Sequence, residues 1–114
     1  MQGVKRVRLR YKVWLETEGK AFGEGPLKIL RKVDELGSLS KTARELNMSY
    51  SKAWKLINFL EKNLGFKLLQ REAGGSGGGG SYLTAEARAL MQKYENFSLE
   101  ADQALQNLFH KYFG

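Results

Sequence analysis

Between Tyr50 and Asn58 the chain carries Tyr50, Ser51, Lys52, Lys55 and Asn58, with no acidic residue among them. A lysine ammonium neutralises a phosphate or donates to a guanine edge. An asparagine amide pairs with adenine, and serine or tyrosine hydroxyls serve phosphate or base. Wound at 3.6 residues per turn, Ser51, Lys52, Lys55, Asn58, Phe59 and Lys62 fall opposite an apolar stripe of Ala53, Ile57, Leu60 and Leu64. A DNA major groove admits one such helix, with phosphates at its rims and base edges on its floor. An amphipathic helix with a merely solvated basic face has the same stripe, so the flanking elements must decide.

Those flanks are informative. Ser49 is placed to cap a helix over Tyr50 to Leu64, which Gly65 ends. Ser40 is read as the cap of a shorter helix from Lys41 to Leu46, with Ala43 and Leu46 facing inward and Asn47 terminating it. Only Asn47, Met48 and Ser49 then separate the two helices, which is the helix-turn-helix unit. Tyr50 either meets a phosphate or packs under the turn. Ser40, Lys41, Thr42 and Ser49 join Tyr50, Ser51, Lys52, Lys55 and Asn58 as candidate DNA contacts on these helices.

A glycine tract follows, from Gly74 to Gly80, interrupted only by Ser76. A nucleotide-binding loop would need a preceding strand, a following helix and often a Lys-Ser/Thr end. Here Ser81, Tyr82, Leu83 and Thr84 follow, without a lysine or a βαβ unit. By composition the tract also reads as a flexible linker. Its position directly after the helix-turn-helix favours a third reading, the wing of a winged helix. A tip without side chains lets backbone N–H groups approach phosphates or the minor groove. Arg71, Gly75, Ser76, Gly77 and Gly78 are its candidate contacts.

The remaining elements must position this unit. Val7, Leu9, Tyr11, Val13 and Leu15 alternate with Arg8, Arg10, Lys12, Trp14 and Glu16, which predicts a basic N-terminal strand within residues 1–18. Trp14 breaks its polar side and is available to another chain or a later element. Residues 19–25 read as a loop. Gly25-Pro26 opens a first helix along Leu27, Leu30, Val33 and Leu36, and Gly37 stops it. Phe66 to Glu72 and Ser81 to Leu83 predict the two strands of a hairpin around the glycines. Thr84 caps a last helix that runs to about Tyr112. At 1.5 Å per residue it spans about 40 Å, more than a small core needs. Its surplus apolar positions Tyr94, Phe97, Ala101, Leu105, Leu108 and Tyr112 predict a dimerisation surface.

Composition narrows the classes. The net charge of +7 is concentrated in residues 1–12, with five cations and no acid, and in residues 38–72, with seven cations and three acids. Localised positive charge points to a polyanionic partner. The absence of cysteine excludes disulfides and thiolate sites. One histidine, His110, does not make a usual zinc site, and no paired carboxylates or nucleophile–base arrangement stands out, so neither an enzyme, a metal nor a cofactor is expected. No run approaches the ~18 apolar residues of a membrane span, and no leader is evident, so a cytoplasmic location without membrane contact is expected.

The segment Gly37-Ser38-Leu39-Ser40, then Ala43, then Met48-Ser49-Tyr50-Ser51-Lys52-Ala53-Trp54, resembles the DNA-binding domain of ModE-type, molybdate-responsive transcription regulators. The glycine tract and Leu83-Thr84 match that family's wing, and the resemblance covers about residues 20 to 95. LysR-type regulators share the plan more distantly. The resemblance implies a homodimer that binds double-stranded DNA at an inverted repeat and acts in molybdenum homeostasis. The chain has no Ser-Ala-Arg-Asn-Gln type motif of the family's molybdate-binding domains, so molybdate binding is not expected of it.

The expected fold is mainly α with small β: one winged helix-turn-helix domain over 1–114. It comprises the basic strand (1–18), the helix-turn-helix and wing (26–83) and a dimerisation helix (84–112). A dimeric transcription regulator is the expected function. The rival is a protein-interaction winged helix whose basic face is incidental.

Overall fold

The computed structural model describes residue 3, residues 5–72 and residues 80–114. Its elements run β1 (Leu15–Glu16), β2 (Lys20–Phe22), α1 (Glu24–Leu36), α2 (Leu39–Glu45), α3 (Tyr50–Leu64), β3 (Leu69–Arg71), β4 (Ser81–Leu83) and α4 (Ala85–Phe113). The mainly helical class with small antiparallel strands is as the sequence predicts.

The four helices form where a start signal meets an apolar stripe. Ser49 Oγ accepts the Lys52 N–H at 3.1 Å, and Thr84 Oγ1 accepts the Ala87 N–H at 3.0 Å. Each relieves one of the unpaired N–H groups at a helix start. The cap of α2 is Ser38, whose Oγ accepts the Lys41 N–H at 3.1 Å. Ser40, read as that cap, instead lies on the first turn, because the helix begins at Leu39 to bury that side chain. Pro26 sits third in α1, where its missing N–H still costs no helical bond. Gly37 ends α1 at φ 68°, and Asn47 closes α2 at φ 55°. The turn between α2 and α3 therefore comprises Leu46, Asn47, Met48 and Ser49, one residue longer than expected.

The core lies where α1, α2, α3 and the first turns of α4 converge. Phe22, Leu30, Val33, Ala53, Ile57, Leu68 and Ala87 have no exposed surface. Burial of each larger aliphatic side chain contributes about 1.5–3 kcal/mol. Phe22 and Tyr94 meet edge to face at 5.2 Å. The Tyr94 hydroxyl donates to the Val13 carbonyl at 2.9 Å. Tyr94 thus belongs to this chain's own core, where it is 1% exposed, and not to a dimer surface.

The N-terminal strand differs most from expectation. Residues 5–14 form no strand; only Leu15–Glu16 pairs, antiparallel with Lys20–Phe22. Alternation alone does not supply a partner, and residues 9–13 lie instead along α4. Tyr11 donates to Asp102 there, a bond that holds the phenol above its ordinary pKa. Trp14 resolves onto its own chain. Its ring packs on Gly23, where an added Cβ would lie 2.8 Å from the indole, and Lys20 Nζ sits 4.6 Å from its ring centroid. β2 lies in the stretch read as a loop.

The second sheet pairs Leu69 with Leu83, Gln70 with Tyr82 and Arg71 with Ser81. It is shorter at its start than Phe66. The Ser81 N–H also donates to the Gly37 carbonyl at 3.0 Å, which ties the hairpin to the end of α1. The described residues extend 66 × 29 × 24 Å. α4 is the longest element at 29 residues, and its buried residues are Ala87, Met91 and Tyr94. Its second half projects beyond the core.

Candidate nucleic-acid interface

α3 is held at two edges by groups that leave its outer face free. Its inner stripe is Ala53, Ile57 and Leu60, joined by Glu61, all buried. Glu61 is the only acid on the helix, and it is turned away from the surface: its Oε2 accepts the N–H groups of Leu68 at 2.7 Å and Leu69 at 3.2 Å. The carboxylate thereby starts the hairpin from the base of α3, with Lys67 Nζ 3.6 Å from its other oxygen. On the opposite edge, Asn63 Nδ2 donates to the Lys20 carbonyl at 2.8 Å, and Thr17 Oγ1 donates to the Asn63 carbonyl at 2.7 Å. These bonds dock β1 and β2 against the end of α3.

The outer face carries Tyr50, Ser51, Lys52, Trp54, Lys55, Phe59 and Lys62, all exposed. No acid interrupts it, so its potential is positive along its length. Tyr50 is 50% exposed, which settles its position toward solvent and not under the turn. Ser51 and Lys55 point outward one helical turn apart. Ser49 is exposed, although its oxygen is occupied as the cap. Asn58 is only half-buried, on the flank beside the hairpin, and its Nδ2 finds no acceptor among the described residues. It borders a cleft of about 490 Å³ with Lys67, Gln70 and Arg71.

Ser40 and Lys41 are exposed at the start of α2. Thr42 is not: it has no exposed surface, and its hydroxyl has no partner among the described residues. Thr42 faces inward because Leu39, Thr42 and Ala43 form the buried side of α2, so it is removed from the contact set. Arg71 is exposed at the end of β3. Gly75, Ser76, Gly77 and Gly78 lie outside the described residues.

Two further residues of consequence are Glu61 and Trp54. Glu61 falls beside Ile57, Leu60 and Leu64 on the helical wheel, which is a usable signal of its inward place. Trp54 belongs to the Met48–Trp54 segment, and its outward place between Lys52 and Lys55 follows from the same helical spacing. Its ring lies 5.7 Å from the Arg71 guanidinium carbon.

Two helices joined by a short turn and followed by a two-stranded hairpin define a winged helix-turn-helix. Residues 26–88 match the family described as bacterial regulatory helix-turn-helix protein, lysR family, and the chain belongs to that family. It is 30% identical over 95 residues to the molybdenum transport protein ModE of Azotobacter vinelandii, covering 82% of this chain and 35% of that protein. It is 35% identical over 82 residues to the DNA-binding transcriptional dual regulator ModE of Escherichia coli, covering 71% of this chain and 31% of that one. The molybdenum-pterin-binding protein MopB of Rhodobacter capsulatus is 32% identical over 82 residues, 72% of this chain and 30% of its own length. The chain spans about a third of the length of these curated relatives. Among solved structures, ArgP from Mycobacterium tuberculosis matches with a TM-score of 0.51 and 27% identity over 72% of this chain and 29% of that one. The ModE-type resemblance of the helix-turn-helix is therefore upheld. No helix among the described residues is long and apolar enough to cross a membrane.

Proposed function

We propose that this protein is a DNA-binding transcription regulator. It inserts α3 into the major groove and pairs with a second copy through the projecting half of α4. The observation that carries this reading is the outer face of α3, where Ser51, Lys52 and Lys55 stand exposed while the helix's one acid is turned inward onto backbone N–H groups. Recognition helices read bases mainly with their N-terminal half, which assigns base contact to Ser51 and Lys52 and phosphate contact to Tyr50 and Lys55. Ser40 and Lys41 meet the backbone from the start of α2. The glycine-rich segment between β3 and β4, with Gly75, Ser76, Gly77 and Gly78, serves as the wing at the flanking phosphates.

Similarity to proteins named for molybdenum transport and molybdenum-pterin binding supports a place in molybdenum handling. The family model spans residues 26–88, which hold α2, α3 and the hairpin, and it supports DNA contact as the role of this segment. Selection of bound duplexes from a random pool tests it. A regulator enriches one site, and that site outcompetes random duplex of equal length. Equal competition by random duplex would refute sequence-specific recognition.

A further inference from the structure

Trp54 is the residue of α3 whose exposure chemistry explains least. It leaves 42% of its surface in solvent, between two lysines. Exposed indoles forgo the burial that makes tryptophan useful in a core. This one has a partner on another element: the Arg71 guanidinium carbon lies 5.7 Å from its ring centroid, within cation–π range. Arg71 is the last residue of β3, opposite Ser81 in the ladder. The contact therefore joins the exposed face of α3 to the hairpin at the end of its described pairing. A stacked guanidinium gives its flat face to the ring and keeps its N–H donors, which lie in its plane, for another acceptor. Arg71 stays exposed, so its charge remains accessible.

We propose that Trp54 is a positioning residue for DNA binding: its ring holds the Arg71 guanidinium at the junction of α3 and the hairpin, with the N–H edge presented to a DNA phosphate. This inference rests on the DNA-binding reading above. Its signature is that an uncharged side chain governs an electrostatic contribution. Each lost phosphate contact lowers the salt dependence of binding by about one counterion. Removal of a tryptophan that touched DNA directly would weaken binding without changing that slope.

The test is a double-mutant cycle on the full chain, with affinity for the selected duplex measured across salt concentrations and thermal midpoints checked for every variant. Trp54→Ala and Arg71→Ala are each expected to lower affinity about fivefold and to reduce the salt slope, by about one in the case of Arg71→Ala. The double variant is expected to be no weaker than Arg71→Ala. Trp54→Phe, which retains a ring face, is expected to recover most of the loss, and it remains informative where Trp54→Ala destabilises the fold. Additive losses, or a Trp54→Ala slope equal to the wild-type slope, would overturn the inference while leaving DNA binding intact. A wild-type chain with no duplex affinity would overturn the DNA reading and this inference together.

Discussion

Single residues in this protein act through what they satisfy as much as through what they expose. Glu61 shows this most clearly. Its carboxylate accepts two backbone N–H groups where the chain leaves α3 for the hairpin, and its inward turn clears the outer face of negative charge. Glu61→Ala is expected to strand those N–H groups and cost about 1–3 kcal/mol in urea denaturation, as unmade buried hydrogen bonds do. Glu61→Gln retains an acceptor oxygen and should cost clearly less; an equal cost would show that the carboxylate's role is not acceptance. At this scale the sequence was legible for outward polar residues and less so for inward ones. Ser51, Lys52 and Lys55 stand exposed as their spacing predicts, whereas Thr42, a candidate DNA contact by sequence, is enclosed beside Leu39 and Ala43. A hydroxyl is small enough for a core position, so polarity alone misplaces it.

Elements were legible where start, stripe and stop agreed. Both Gly37 and Gly65 end helices in the left-handed region, and Ser49 and Thr84 cap as their types predict. Caps are ambiguous where serines cluster: Ser38 and Ser40 both precede an apolar run, and burial of Leu39 decides for Ser38. Strands were harder, because a strand needs a partner that one segment does not announce. The alternation of residues 7–15 is satisfied partly along α4, with Tyr11 bound to Asp102 and the Val13 carbonyl bound to Tyr94. Gly37 illustrates an element held by one backbone angle. It adopts φ 68°, and an added Cβ would meet nothing within 4 Å, so the cost of a side chain there is conformational and not steric crowding from neighbours. Gly37→Ala is expected to destabilise the fold by about 1–2 kcal/mol. Gly37→Asn, which tolerates this region, should cost less. Unchanged stability of Gly37→Ala would show that the α1 stop does not depend on glycine.

Across the whole molecule, α4 does two jobs along its length. Its first turns bury Ala87, Met91 and Tyr94 in the core, and its second half projects with Phe97, Leu108 and Tyr112 exposed. Phe97, Ala101, Leu105, Leu108 and Tyr112 share one face, continuous with the buried side of the helix. A second copy on that face is the proposed partner, and two-fold symmetry would set two α3 helices about 34 Å apart or a multiple of it. Sedimentation of Leu105→Asp with Leu108→Asp is expected to give a monomer where the unsubstituted chain is dimeric. A variant that stays dimeric would place the interface elsewhere. In the proposed function α3 contacts DNA through Lys52 and Lys55. The decisive measurement is affinity for the selected duplex from low to high salt, for the unsubstituted chain and for Lys52→Ala with Lys55→Ala. The double variant is expected to bind more weakly, with a salt slope reduced by about one to two. Binding and slope equal to those of the unsubstituted chain would contradict that contact.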